Sequence, residues 1–410
     1  MEYFDSLETR DPAERERDLM AKLSRQIAYA KERSAYFAET LAGVEPRDIA
    51  SRQALARLPV VRKNQLIELQ KSPRPFGGLN GTPAGQLARI FASPGPIYDP
   101  EGYAIDWWRM ARALFAAGFR KGEVIHNTLA YHMSPGGFMI DGGARRLGCA
   151  VFPAGVGQTE MQVSVIADVR PHGYGGTPSF LRIILEKADE LGADVSSLRK
   201  ALVSGEALPP SLRAWLEGRG IKTRQCYATA DIGLIAYETD ALEGMVVDEE
   251  VVVEIVRPGT GDPVAEGEVG EVVVTTFNPD YPLIRFGTGD LSAVLPGMSP
   301  CGRTNTRIKG WMGRADQTAK VKGMFVHPQQ IAEVVKQHAE IKRARLVVEN
   351  PGGEDRMTLR CEVERVGEGL ADAIVASIRS YTKLRGEVEF CAPGSLPNDG
   401  KIIEDLRKYQ

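Results

Sequence analysis

A chain of 410 residues, 43% of them hydrophobic, is long enough to bury a large core and to form more than one domain. Its 51 basic and 54 acidic side chains leave a formal charge of −3 with no long basic run, which argues against a nucleic-acid partner recruited by net field. No apolar run reaches the ~18 residues of a membrane span, the acidic start MEYFDSLETRDPAERERD is unlike a secretory leader, and five scattered cysteines (Cys149, Cys226, Cys301, Cys361 and Cys391) lack a paired ligand spacing. A soluble protein of the reducing cytoplasm is expected, with no membrane or nucleic-acid partner.

In chain order, Ala13–Thr40 repeats apolar or small residues at Leu19, Leu23, Ile27, Ala30 and Phe37 among charges. That spacing predicts a helix with one apolar stripe, and Asp48–Leu58 reads as a second short helix stopped by Pro59. Together they form a structural N-terminal arm. Ala88–Gly102, ARIFASPGPIYDPEG, is a strand-like run with a Ser/Pro/Gly turn where a phosphate loop could sit. Pro94 and Pro96 remove two backbone donors, however, and no Lys or Arg lies between Ser93 and Gly102, so a plain turn is favoured there.

From Tyr103 onward helices and buried strands alternate. Tyr103–Ala117, Gly136–Leu147, Thr159–Val169 and Pro178–Leu191 read as helices; Val124–Leu129, Cys149–Phe152 and Lys200–Ser204 read as strands, and Gly173–Gly176 as a tight connector. This order predicts an α/β fold whose parallel sheet binds ligands at the carboxyl ends of its strands. Tyr131, Met133 and Phe138 leave the first of those ends and either line an apolar pocket or fill the core.

The stretch QCYATADIG, Gln225–Gly233, packs an aromatic ring, a hydroxyl and a carboxylate into five residues. Tyr227 suits stacking on a purine, the backbone around Ala228 and the hydroxyl of Thr229 suit phosphate oxygens, and Asp231 suits a divalent ion. The alternative is a strand end followed by an ordinary Thr/Asp turn. Glu249–Val256 and Val269–Thr276 read as an antiparallel pair. Beyond them Asp290 follows a Gly-Thr-Gly bend, where a carboxylate can accept both hydroxyls of a ribose or satisfy its own turn. Composition changes again at Ile308–Gly323, which makes Gly313–Asp316 a hinge candidate between domains 1–312 and 313–410. In the second domain Phe325–Gln337, Ala344–Val348, Met357–Val363 and Ala371–Tyr381 alternate strand and helix, and Lys401 sits on a Pro/Gly-rich loop near the chain end.

Taken together, SGEALP at 204–209, YATAD at 227–231, LIRFGTGD at 283–290, CGRTNTRI at 301–308, GRADQTAKVKGMFVHPQQI at 313–331 and SLPNDGK at 395–401 resemble the adenylate-forming acyl/aryl-CoA ligases of the phenylacetate-CoA ligase type. The resemblance spans nearly the whole chain. It implies a large N-terminal domain of layered sheets and helices that binds ATP and acid, and a small mobile α+β C-terminal domain. By that likeness the backbone of Gly205–Glu206 and the ring of Tyr227 hold adenine, Thr229 meets phosphate, and Asp231, where the family usually has glutamate, helps to place Mg2+. Asp290 and Arg314 bind ribose, Asp316 is the pivot, Lys322 and Gly323 lie towards coenzyme A, and Lys401 reaches the α-phosphate and carboxylate oxygens. Two departures stand out: the Ser/Thr/Gly-rich phosphate loop is almost absent at 91–102, and Ser299-Pro300-Cys301 does not carry over a structural zinc.

The expected activity is ATP-dependent activation of a small, aromatic carboxylic acid to acyl-AMP, followed by transfer to coenzyme A. A non-CoA acceptor, a weakly active homologue and a non-enzymatic acyl-nucleotide binder stay open as alternatives, and so does a homodimer.

Overall fold

The amphipathic N-terminal segment folds as a helix over Pro12–Arg33, started by the Asp11 carboxylate accepting from the Ala13 and Glu14 N–H groups. Ser34 breaks the single helix expected here and caps a second, Ala35–Thr40. Leu19, Leu23, Ile27 and Ala30 are buried, so the stripe does lie on a larger body. These elements come from a computed structural model that describes residues 2–93, 96–312, 314–315, 319–322, 324–326, 328–351, 354–397 and 402–407. The chain divides into two units, Met1–Gly313 and Arg314–Gln410.

The strands of the first unit are β1 (Val61–Arg62), β2 (Arg89–Ser93), β3 (Ile97–Glu101), β4 (Val124–Asn127), β5 (Ala150–Pro153), β6 (Gly173–Gly176), β7 (Lys200–Val203), β8 (Lys222–Thr229), β9 (Gly233–Tyr237), β10 (Met245–Val247), β11 (Val251–Val256), β12 (Gly270–Thr276), β13 (Phe286–Ser292), β14 (Val294–Leu295) and β15 (Arg307–Ile308). Nine of them form one sheet in the order β14-β15-β10-β9-β8-β7-β6-β4-β5. The run from β5 to β8 is parallel. Its successive strands are joined by helices Gly136–Leu147, Thr159–Val169, Pro178–Leu191 and Pro210–Gly218. Such crossovers cover a parallel sheet on its faces. Accordingly Ile140 and Ala144 belong to one apolar cluster, and Val163, Ile166, Leu181 and Ile184 to another.

A second sheet runs β1-β13-β12-β11, with β11 and β12 the expected antiparallel pair and β1 parallel to β13. The expected strand-like run with its turn is a two-stranded hairpin: β2 and β3 pair from Arg89↔Glu101 to Ser93↔Ile97. Two expectations need correction. Gly173–Gly176 is a fully buried strand between β4 and β7, not a connector. The helix expected over Tyr103–Ala117 begins only at Met110, after Arg109 in the left-handed region at φ 64°.

In the second unit come β16 (Ala319–Val321), β17 (Met324–Val326), helix Pro328–Gln337, β18 (Ile341–Glu349), β19 (Arg356–Val363), helix Leu370–Thr382, β20 (Glu387–Cys391) and β21 (Ile403–Asp405). The sheet β20-β19-β18-β21 packs with Ile331, Val334, Ile374 and Ile378 in a core of its own. The result is the expected pairing of a large α/β unit with a small α+β unit.

Candidate active site

The first unit changes character along β8. Its first half pairs in parallel with β7, from Lys200↔Lys222 to Val203↔Gln225. Its second half pairs antiparallel with β9, and the register shifts between Tyr227 and Ala228. A bulge bends a strand and re-aims its side chains. Here the Tyr227 hydroxyl reaches the second sheet, donating to Asp290 Oδ2 at 2.8 Å and lying 3.1 Å from Thr288 Oγ1. The other Asp290 oxygen accepts from Trp311 Nε1 at 3.0 Å. Gly289, at φ 75°, makes the bend that presents this carboxylate, which is 7% exposed. Structure thus brings Tyr227 and Asp290 together across 63 residues of chain.

Past β8 the chain turns sharply. Thr229 Oγ1 accepts from the Ile232 N–H at 3.2 Å, and Gly233 sits at φ 82°, where a Cβ would lie 2.7 Å from the Trp108 carbonyl oxygen. Trp108 Nε1 donates to the Ala230 carbonyl at 3.0 Å, so the turn is clamped from two sides. After β7, Gly205 (φ 84°) and Glu206 are exposed, and Glu206 Oε1 accepts from the Ser179 N–H at 2.7 Å. Ser204 donates to the Cys226 carbonyl at 3.0 Å, tying the ends of β7 and β8 together.

Tyr131 and Met133 line a groove of about 560 Å³ with Arg89, Ile90, Phe91 and Tyr98. Phe138 supports it from behind: its ring meets Tyr131 edge-on at 5.2 Å and Phe91 at 5.4 Å, while the Arg89 guanidinium lies 4.3 Å from its centroid. Asn127 Nδ2 donates to the Tyr131 hydroxyl at 2.7 Å, and the Met133 carbonyl accepts from the Ala92 N–H at 2.8 Å, which docks the β2–β3 hairpin on this loop. Phe91 in turn touches Trp108, with ring centroids 5.8 Å apart. An aromatic chain therefore joins the groove to the turn after β8.

At that turn Asp231 is not open. Its side chain is fully buried, and Lys63 Nζ donates to Oδ2 at 2.5 Å. Its Oδ1 and both oxygens of the buried Asp99, on β3, have no hydrogen-bond partner among the described residues. The Ser93 hydroxyl nearby donates instead to the Ile97 carbonyl at 3.3 Å. Burial, then the neighbouring Asp231 charge, push the Asp99 carboxyl well above the ordinary carboxylate range. Magnesium keeps several waters in near-octahedral geometry, whereas the Asp231 carboxylate is sealed and already faces an ammonium. No group of three or more His, Cys, Asp or Glu able to hold a metal occurs among the described residues. The residues do not fit a magnesium ion held by Asp231.

In the second unit, Arg314 is half-buried, and Lys322 is exposed at φ 46° with its backbone N–H donating to Asp355 Oδ2 at 2.8 Å. Asp316, Gly323 and Lys401 lie outside the described residues. Sequence reasoning missed Lys63, Asp99, Trp108 and Trp311. Lys63 is 168 residues from Asp231, and no local pattern marks such a contact. The carboxylate in the apolar-flanked run IYDPEG was the one available signal for Asp99.

A sheet that ends its parallel half beside a tyrosine–aspartate pair is the layout in which a nucleotide sits at the strand ends, and comparison with known proteins supplies the class. Residues 107–278 match the model for AMP-binding enzymes, and the chain belongs to the AMP-binding, acyl-adenylate-forming ligases. Its relatives include a phenylacetate-coenzyme A ligase of Thermus thermophilus, 32% identical over 451 residues and covering 100% of both chains, and one of Escherichia coli, 32% identical with 89% and 88% covered. Among solved structures it is similar to 2-hydroxyisobutyryl-CoA ligase in complex with 2-HIB-AMP and CoA, at a TM-score of 0.81 and 25% identity, covering 98% of this chain and 92% of the other.

Proposed function

We propose that this chain is an AMP-forming acid–thiol ligase that activates a small aromatic carboxylic acid with ATP and passes the acyl group to coenzyme A. The observation that carries the reading is the Tyr227–Asp290–Trp311 constellation at the switch from parallel to antiparallel sheet. A buried carboxylate presented on a Gly-Thr-Gly bend beside a tyrosine suits the ribose of a nucleotide. The aromatic groove of Tyr131, Phe91 and Tyr98, with Phe138 behind it, supports an aromatic acid, and the phenylacetate-coenzyme A ligases among the relatives support the same choice.

In the first step a carboxylate oxygen attacks the α-phosphorus of ATP, a C–O–P linkage forms, and the bond to pyrophosphate breaks. Lys401 meets the charge that develops on the α-phosphate oxygens. The backbone of Gly205–Glu206 and the Tyr227 ring take the adenine, Asp290 and Arg314 the ribose, and Ala228 and Thr229 the phosphate. ATP enters as its magnesium complex. In the second step the coenzyme A thiolate attacks the acyl carbon, the C–O bond breaks, and AMP leaves with its electron pair. Asp316 serves as pivot between the steps, and Lys322 and Gly323 face coenzyme A.

The test is pyrophosphate release across aromatic and short aliphatic acids, with and without coenzyme A. Aromatic acids are expected to drive release, with thioester formed when coenzyme A is present. Pyrophosphate without thioester would move the acceptor elsewhere. Absence of acid-dependent release would overturn the reading.

A further inference from the structure

Among the side chains that line the aromatic groove, one is charged: Arg89, at the start of β2. Its register partner is Glu101, at the end of β3, and Arg89 Nη1 donates to Glu101 Oε2 at 2.8 Å. The guanidinium also lies 4.3 Å from the Phe138 ring centroid, a contact that orders a side chain still half-exposed. A guanidinium carries five N–H donors, and among the described residues this one meets a single acceptor. Tyr131 adds a donor from the same groove, since its hydroxyl accepts from Asn127 Nδ2 and its own proton has no acceptor among the described residues. Negative charge is already in place beside the cation. Glu101 is buried, and Asp141, on the helix Gly136–Leu147, lies near enough that burial first and the Asp141 charge with it hold the Glu101 carboxyl above its ordinary value against the pull of Arg89.

We propose that Arg89 selects, among aromatic acids, those whose ring carries a neutral oxygen acceptor, and that Glu101 positions the guanidinium for it while turning away a second carboxylate. The inference rests on the proposed function, in which this groove takes the aryl group. A bare ring strips water from the guanidinium and gives its N–H groups nothing in return, because Ile90, Phe91, Ala92 and Met133 around it offer only apolar side chains. A hydroxyl, methoxy or carbonyl oxygen restores an acceptor without adding charge. A carboxylate would meet the same cation, but Glu101 and Asp141 stand beside it, and the like-charge repulsion offsets the attraction. Attraction of one class and rejection of the other thus come from the two members of one ion pair.

The experiment measures kcat/KM for acid-dependent pyrophosphate release by the full chain, with benzoate and phenylacetate each bare, bearing a methoxy or acetyl group at each ring position, or bearing a second carboxylate. The parent is expected to favour the best acceptor-bearing acid over the bare one by about tenfold, the lower end for a hydrogen bond to a charged group, and to disfavour the dicarboxylates. Arg89→Met should shrink that preference to within about twofold, and Arg89→Lys should keep part of it. Glu101→Gln should raise the dicarboxylates relative to the bare acids by about threefold or more, because one of the two repelling charges is gone. Since Arg89→Met strands a buried carboxylate, Arg89→Met/Glu101→Gln is the second variant, expected to melt as the parent does and to show the same loss of preference. Calorimetric titration of the same acids without ATP reads the groove independently of turnover. A preference unchanged in either Met variant overturns the proposal, and so does an equal fall for bare and substituted acids, which would put Arg89 on the reacting carboxylate. A parent that turns over aromatic acids with no preference removes Arg89 as selector and leaves the ligase reading standing. If no acid drives release while calorimetry still shows the Arg89-dependent preference, the ligase reading alone fails.

Discussion

Asp290 accepts from a phenol and an indole at once, and both donors also have to be placed for anything stacked on the Tyr227 ring. Changing it to Asn keeps the volume but replaces one acceptor oxygen with an NH2 group that faces a donor. Asp290→Asn is therefore expected to weaken AMP and ATP binding by about 1.5–3 kcal/mol, the range for a hydrogen bond to a charged group, in a protein that still melts cooperatively. Calorimetric titration checks this, and equal affinity in the variant would take Asp290 out of the site. Tyr227 and Asp290 were legible in sequence because each sits in a short polar motif broken by small residues, YATAD and GTGD. Trp311 and Lys63 were not. Their partners are fixed by register, Lys63 through the parallel pairing of β1 with β13, and side-chain periodicity carries no information on which distant strand will be the neighbour.

Among the elements, the helices Gly136–Leu147, Thr159–Val169 and Pro178–Leu191 have the bounds their apolar period predicts. Gly173–Gly176 was misread because glycine carries no β signature; what makes it a strand is room. At Gly176 there is space for backbone only: a Cβ there would fall 2.0 Å from Thr128 Oγ1 and 2.3 Å from the Tyr174 hydroxyl. Gly176→Ala should destabilise the chain by about 1–3 kcal/mol or more through overpacking, seen as a lower urea midpoint at unchanged slope. The delayed helix at Met110 has a capping cause. Asp106 accepts from the Met110 N–H at 2.8 Å and the Ala111 N–H at 2.9 Å, so residues 103–109 are spent on reaching the cap. Burial raises the Asp106 carboxyl from 3.8 to about 6 against those bonds and the Arg109 charge, with Asp248 adding to the rise. A folded value above the unfolded one contributes stability that is complete below about pH 4 and is lost as pH rises through about 6. Urea melts of parent and Asp106→Asn should therefore show the parent's relative stability greatest near pH 4 and declining through pH 6. A difference independent of pH would mean that the carboxyl titrates normally.

At the scale of the whole molecule, the α/β class was readable because helix and strand alternate over residues 124–229, whereas the residues proposed for the chemistry divide between units that each hold their own apolar core. Tyr227, Asp290 and Lys63 belong to the first unit, and Lys401 to the sequence of the second. A lysine that follows Pro397 and Gly400 in sequence, near the end of a separately cored unit, is the residue we propose is presented to the reaction and withdrawn from it. Under the proposed function its ammonium meets the charge redistributed around the α-phosphate in adenylation and is withdrawn before the thiolate attacks, so that it makes no contact with the departing AMP. Lys401→Ala is accordingly expected to lower acid-dependent pyrophosphate release by about a hundredfold or more, the scale of one lost transition-state contact. Given chemically prepared acyl-AMP and coenzyme A, the same variant should form thioester at close to the parental rate. The two half-reactions read the lysine separately: unchanged adenylation would leave it idle, and an equal fall in both steps with the fold intact would make it a docking contact of the second unit rather than the group that activates the acid.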